Sequence, residues 1–285
     1  MRRANAIQKE TEQIATVEDL TGVFESVSST QVAKVRNKVA LSKEFFDLLW
    51  NRYRSIRIDS GSRLTSSGKD KENAKKVFII ISAEAGLSGD IDDRLIETMM
   101  QDYNQATTDI IVLGSHGASQ LKQHDIPYIR YFQVPESTNY VDVGPIVAAI
   151  RPYSKIKVYY EEYVSLGVQD IKSIDLIANI QAMTEQTEDE EIITAADTVF
   201  EPSLEHIADQ MEQTIMTLAL SQTILESNLA QNASRFNAMA GAKKRAKELV
   251  AMHMLEFHRA KRSEGDRRLR EVMVSLKKKK HRQHK

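Results

Sequence analysis

The sequence predicts an α/β fold joined to a coiled coil. Two long terminal helices pair as an antiparallel, left-handed two-helix coiled coil, and a small Rossmann-like α/β domain is inserted between them. Three observations predict this. Breakers are scarce: 285 residues hold 11 Gly and 5 Pro, whereas an average domain carries about 7% Gly and about 5% Pro, so long uninterrupted elements follow. Charged residues make up 28% and aromatics 6%, which suits solvated helices better than a sandwich or barrel. The hydrophobic rhythm also changes along the chain, from steps of three, four and seven at both ends to short apolar runs in the middle.

The first element spans residues 1–58 and contains no Pro and one Gly, Gly22. Its apolar positions are Ile7, Ile14, Val17, Leu20, Phe24, Val27, Val32, Val35, Val39, Phe45, Leu48, Leu49, Tyr53 and Ile56. That spacing predicts one helical stripe. Residues 59–75 follow, rich in Ser, Gly and charge, and read as a flexible linker.

The domain of residues 76–200 has a different pattern. Val77–Ile81 and Asp109–Gly114 read as buried strands, with a helix over Asp90–Gln105 between them. A further helical stretch, a weaker strand over Tyr128–Gln133 and a helix over Val141–Ile150 come next. Ile156–Tyr163 and Asp170–Ile177 complete the strands. Strands separated by helices predict βαβ units and a largely parallel sheet. The acidic stretch Glu185–Glu191 reads as a solvated loop rather than a cation site.

Pro202 suits a first helical turn and opens the last long helix, residues 201–276. Its apolar stripe runs through Leu204, Ile207, Met211, Ile215, Leu218, Leu225, Leu229, Phe236, Met239, Ala246, Leu249 and Val250. A repeat near 3.5 residues winds such a pair left-handed. Residues 277–285 form a basic end that reads as a solvated, partly disordered tail. From Arg259 to Lys285 twelve Lys and Arg face only Glu264, Asp266 and Glu271. Contact with an acidic protein surface, with nucleic acid or with phosphate is the other reading of that charge.

Composition excludes several classes of function. The absence of Cys removes disulfide frameworks, thiolate metal sites and thiol nucleophiles, and fits a reducing compartment. A net charge of −1 argues against bulk electrostatic binding to nucleic acid. No window approaches the roughly 18 continuous apolar residues of a membrane span, and no apolar leader follows Met1, so a soluble chain is expected. The seven His residues show no metal-ligand spacing. Gly86-Leu87-Ser88-Gly89 follows a strand and reads as a tight turn. It lacks either phosphate-loop pattern, and Asp90, Asp92 and Asp93 would repel a phosphate.

Several segments, in order, resemble the gamma subunit of F-type ATP synthase, the central rotor stalk. They are Ile14–Val17 with Leu20–Ser29, Gly86–Asp92, Glu201-Pro202-Ser203, Ser234–Met239 and Ala246–Leu249. Gly86–Asp92 is similar to that family's Gly-Leu-Cys-Gly-x-x-Asn loop, and Ser234–Met239 to its Ser-Arg-Met-x-Ala-Met. The last turns depart from the family: of its usual pattern only Leu269, Glu271 and Val272 hold, and the usual small ending is replaced by basic residues.

The resemblance implies a rotating shaft that couples ion flow through a membrane c-ring to ATP synthesis or hydrolysis on a hexamer of alpha and beta subunits. The subunit would not be catalytic by itself and would hold no cofactor or metal. Its partners would be the alpha, beta and epsilon subunits and the c-ring, with no nucleic acid. It would sit peripherally at the cytoplasmic face of the cell membrane, in a bacterium by preference. The resemblance assigns hexamer contacts to Phe24, Lys34, Arg36, Lys38, Arg235, Met239, Arg262, Leu269 and Glu271, and the domain turn to Gly86 and Gly89. Two alternatives remain: a gamma-like regulatory paralogue that couples weakly, and a nucleotide-binding α/β enzyme on a coiled-coil scaffold.

Overall fold

The computed structural model describes residues 4–57, 75–134, 143–153, 155–176 and 204–282. The acidic stretch Glu185–Glu191, residues 58–74 of the linker region and the Pro202 turn lie outside the described residues. The elements run α1 (Ala4–Arg57), β1 (Lys76–Ile81), α2 (Ile91–Asp102), β2 (Thr108–Leu113), α3 (Ser115–Gln123), β3 (Arg130–Phe132), α4 (Gly144–Ile150), β4 (Lys155–Tyr163), β5 (Gln169–Asp175) and α5 (Leu204–Arg282). By their contacts, residues 1–27 with 237–285 form one compact unit and residues 28–236 another. Both divisions fall inside a long helix.

In the larger unit the five strands lie in the order β3-β2-β1-β4-β5. β1 pairs in parallel with β2 and with β4, and β2 with β3. β5 is antiparallel to β4, because only a short hairpin over Val164–Val168 joins them, closed by paired Ser165 and Val168 backbone bonds. A two-stranded turn of that length permits no parallel crossover. Strand alternation divides the core into two layers. Val77, Ile79, Ile81, Ile111, Leu113, Ile156, Val158 and Tyr160 face Ile146 and Ile150 of α4, Phe46 of α1 and Ile215, Leu220 and Ile224 of α5. Phe78, Ile80, Ile110, Val112 and Tyr159 face Leu95, Ile96 and Met99 of α2 and Ala118 and Leu121 of α3. A third cluster joins Val32 and Val35 of α1 to Leu229 and Ala233 of α5.

In the smaller unit the two long helices run antiparallel. The Ala4 backbone N–H donates to Glu264 Oε1 at 3.1 Å, His253 Nδ1 lies 3.8 Å from Glu10, and Lys243 pairs with Glu25 at 2.8 Å. Ala4, Ile7 and Ala260 are buried together, with Phe257 against them.

The predicted stripe on α1 needs correction here. Val17, Leu20, Phe24 and Val27 are exposed, as are Phe45 and Leu48 further on. The buried positions are Ala4, Ile7, Thr11, Thr21, Ser28, Val32, Val35 and Phe46. The seam therefore follows alternate steps of three and four, but its middle is polar. Thr11 and Thr21 enter it by returning their hydroxyls to the carbonyls of Ile7 and Val17, which removes the cost of burying an unpaired oxygen. A count of apolar residues alone merges this seam with a second stripe on another face. Likewise Leu249 of α5 is 40% exposed, while Met239 and Ala246 are buried.

The basic end also differs from the expectation. α5 continues as helix to Arg282 rather than fraying at residue 276. Lys and Arg are good helix formers, and cations are favoured at a helix C-terminus by its dipole.

Candidate functional site

The strand order reverses at β1. Successive crossovers carry the chain from β1 to β2 and β3, then back across to β4 on the other side of β1. In open α/β sheets the crevice beyond the carboxyl ends of two such strands is where ligands bind. Here that crevice lies past Ile81 and Tyr160, and α5 occupies it. Three residues after Ile224 has joined the core, the Ser227 hydroxyl lies 3.3 Å from the Ile81 carbonyl and 3.1 Å from Glu161 Oε2. Gln231, one turn on, donates to Ser227 Oγ at 3.1 Å. Ser234 donates to the Ser88 carbonyl at 2.6 Å. The Arg235 guanidinium binds the carbonyls of Gly86 at 3.2 Å and Ala85 at 2.8 Å, and Asn232 Oδ1 at 3.2 Å.

The loop after β1 is therefore bound through its carbonyl oxygens. A phosphate cradle needs the opposite polarity, with N–H groups turned inward. Gly89 has φ 75°, and Leu87 adopts φ 71°, so this is a tight left-handed turn. Gly86 has open space where a Cβ would stand. Asp92 fixes the turn from inside. Its carboxylate accepts from Ala83 N–H at 2.9 Å, from Ser88 Oγ at 2.9 Å and from His116 Nδ1 at 3.0 Å. Burial works to raise the Asp92 carboxyl, but His116 and the two other donors outweigh it and hold it below its ordinary value. The same contact raises His116 above its own. A second anchor is Glu84, which accepts from the Ser115 and Val134 amides and the Tyr131 hydroxyl.

The remaining sequence-predicted residues are distributed over the long helices. Lys34 and Arg36 are exposed on α1, and Lys38 is half-buried. Phe24 is 42% exposed, in a row with Val17, Leu20, Val23 and Val27. Met239 is buried in the seam. Arg262 is exposed, Leu269 is 64% exposed, and Glu271 pairs with Arg267 across one turn at 3.5 Å. From Gly265 to Leu276 every residue of α5 is exposed, including Val272, Met273, Val274 and Leu276. Among the described residues no cluster of His, Asp and Glu could hold a metal ion, and no helix is long and apolar enough to cross a membrane.

Sequence reasoning did not single out Glu161, the Asp92–His116 pair or the Glu25–Lys243 pair. A signal for Glu161 existed: alternation in β4 puts it on the face of Tyr159, in a strand covered on both sides.

A mixed sheet whose switch-point crevice is filled by α5, together with two long terminal helices that pair antiparallel, defines the class as an α/β protein with a paired-helix element. A family model for ATP synthase matches residues 3–275, and the chain belongs to that family. Its relatives include the ATP synthase gamma chain of Clostridium novyi (strain NT), 24% identical over 94% of this chain and 95% of that one. The gamma chain of Malacoplasma penetrans (strain HF-2) is 23% identical over 97% and 99%. Among solved structures, a chain of the Euglena gracilis mitochondrial ATP synthase OSCP/F1/c-ring assembly, in rotational state 3, superposes with a TM-score of 0.65 at 14% identity, over 95% of this chain and 94% of that one. The long terminal helices and the central mixed sheet are the fold of that neighbour.

Proposed function

We propose that this chain is the gamma-type central shaft of an F-type ATP synthase. Its terminal helices stand inside the hexamer of alpha and beta subunits, and its sheet domain meets the epsilon subunit and the c-ring. Residues 1–58 and 201–276 serve as the shaft, residues 76–200 as the foot, and residues 277–285 as a basic extension of the tip. Rotation driven by ion flow then presents a different side of an asymmetric surface to each beta subunit in turn. Only unequal contacts can shift the balance among beta conformations, because equal affinity for every state shifts nothing. The complex is peripheral to a membrane through the c-ring, at its cytoplasmic face in a bacterium.

The single observation that carries this reading is the apolar row Val17, Leu20, Val23, Phe24 and Val27, each 42–60% exposed on the face of α1 turned from its own seam. A lone soluble chain rarely shows such a contiguous row, which marks a protein contact. Phe24, Lys34, Arg36, Arg262, Leu269 and Glu271 are the outward contact residues in this reading. Met239 and Arg235 act from within, by spacing the helices and by fixing α5 to the loop after β1.

The test is reconstitution with the alpha and beta subunits of the same organism. The chain alone should hydrolyse no ATP, and its addition should produce a hexamer whose hydrolysis is accompanied by rotation of a probe on the sheet domain. An assembly that turns over equally well without the chain would sink the reading. Assembly without rotation would favour the regulatory paralogue, for which the basic tip is the motive.

A further inference from the structure

Glu161 is fully buried at 0% exposure, and its Oε1 has no hydrogen-bond partner among the described atoms. Its like-charged neighbour is the Asp92 carboxyl, itself fully buried. Two carboxylates buried side by side cannot both ionise at ordinary pH. The donors decide which keeps the proton. Asp92 receives three of them, from Ala83, Ser88 and His116. Glu161 meets only neutral donors, Gln231 and Ser227, and the Ser227 hydroxyl proton is also offered the Ile81 carbonyl. Asp92 is therefore the anion and Glu161 the acid. The orphaned Oε1 is then explained, as the oxygen that carries the proton toward Asp92.

We propose that Asp92 and Glu161 hold one buried proton between them, and that this proton fastens α5 to the carboxyl ends of β1 and β4, so that its loss at alkaline pH loosens the Ser227–Arg235 turns. Burial, followed by the Asp92 charge, pushes the Glu161 carboxyl well above the usual carboxylate range. With the folded value raised, the contribution is complete at acid pH and disappears as pH rises through that value. The groups around Glu161 are Asp92 of α2, with His116 of α3 behind it, and Ser227 and Gln231 of α5. Arg235 is held by the Ala85 and Gly86 carbonyls. The neighbouring Glu162 points to the opposite face of β4 and pairs with Lys172 of β5. Glu226 of α5 and Lys43 of α1 belong to that second group. Among the described residues no cation neutralises Glu161 directly.

The experiment uses the full chain and the near-isosteric E161Q and D92N variants. Infrared difference spectra read the carbonyl stretch of a protonated carboxylic acid, and hydrogen exchange reads the Ser227–Arg235 amides. At neutral pH the wild type should show a buried acid band that E161Q lacks. D92N should titrate that band at lower pH, because the like charge is gone. In the wild type, protection of Ser227–Arg235 should fall by up to about tenfold per pH unit above the titration point, and in E161Q that limb should be missing, leaving only the loss that His116 contributes. A wild-type spectrum without the band, a band that survives in E161Q, or equal alkaline loss in both chains overturns the proposal. E161Q removes the proton without removing the shape, so a folded E161Q that lacks the Glu161 limb supports it.

Discussion

Ser234 donates a 2.6 Å hydrogen bond to the carbonyl of Ser88, 146 residues earlier in the chain. Arg235 adds two bonds to the same loop, at Gly86 and Ala85. The last helix and the first strand's loop are thus one joint, made almost wholly of backbone oxygen on one side and of α5 side chains on the other. Replacing Arg235 by Ala strips the charge-assisted donors from two carbonyls. The expected loss is about 2 kcal/mol, within the range for hydrogen bonds to charged groups. Urea unfolding of the R235A chain measures it. Arg235→Lys should recover only part, since a point ammonium cannot span two carbonyls as the guanidinium fork does. Full recovery by Lys would show that charge alone matters.

Much of this joint was legible in the sequence, and part of it was not. The strands of the inner sheet stood out because Val77–Ile81 and Asp109–Leu113 are continuous apolar runs bounded by polar residues. The helices stood out by scarcity of Gly and Pro. Arg235 was found as part of a family segment, but the carbonyls it serves depend on a turn geometry that no spacing encodes. The α1 seam is hidden from a count of apolar residues for a related reason. Thr11, Thr21 and Ser28 occupy buried positions, and a hydroxyl that bonds its own helix, as those of Thr11 and Thr21 do, is indistinguishable in sequence from one that faces water.

A glycine tests the same corner of the sheet. Gly114 has φ +94°, and a Cβ built there would stand 2.2 Å from the Ser82 carbonyl oxygen. Both the backbone conformation and the space exclude a side chain. Gly114→Ala should therefore cost more than about 1 kcal/mol, beyond the usual gain from a stiffer unfolded chain. Gly86→Ala is the control: its Cβ would meet nothing within 4 Å, and thermal unfolding should change little. Equal shifts in the two variants would contradict this account.

The Asp92–His116 contact gives stability two pH limits. The Asp92 carboxyl is held below its ordinary value of 3.8, so its contribution is present above that value and is lost as pH falls through the lowered one. The His116 imidazole is raised above 6.5, so its contribution is complete below that value and is lost as pH rises through the raised one. Between these limits the pair is fully formed. His116→Gln should flatten the stability profile on the neutral-to-alkaline side and also shrink the acid limb, because Asp92 loses the imidazolium that helps hold it down. Unfolding midpoints collected across pH would reveal it, and an unchanged alkaline slope in the variant would remove His116 from the explanation.

Phe24 and Met239 separate outward contact from inward support. Both belong to the segments that carry the family resemblance, yet Phe24 is 42% exposed and Met239 only 7%. A substitution at an exposed position away from special features changes stability by no more than about 0.5 kcal/mol. Truncating a buried Met leaves a cavity and costs about 2–5 kcal/mol. Phe24→Ala should therefore leave the unfolding midpoint of the isolated chain almost unchanged, while lowering rotation-coupled hydrolysis in the reconstituted hexamer. Leu20→Ala, on the same exposed row, should behave alike. Met239→Ala should lower the midpoint first, with any loss of coupling following from a weakened seam. Calorimetry on the free chain and turnover in the complex give the two readings for each variant. If Phe24→Ala destabilised the free chain as much as Met239→Ala, the exposed row would be part of the fold, and the contact surface would have to lie elsewhere.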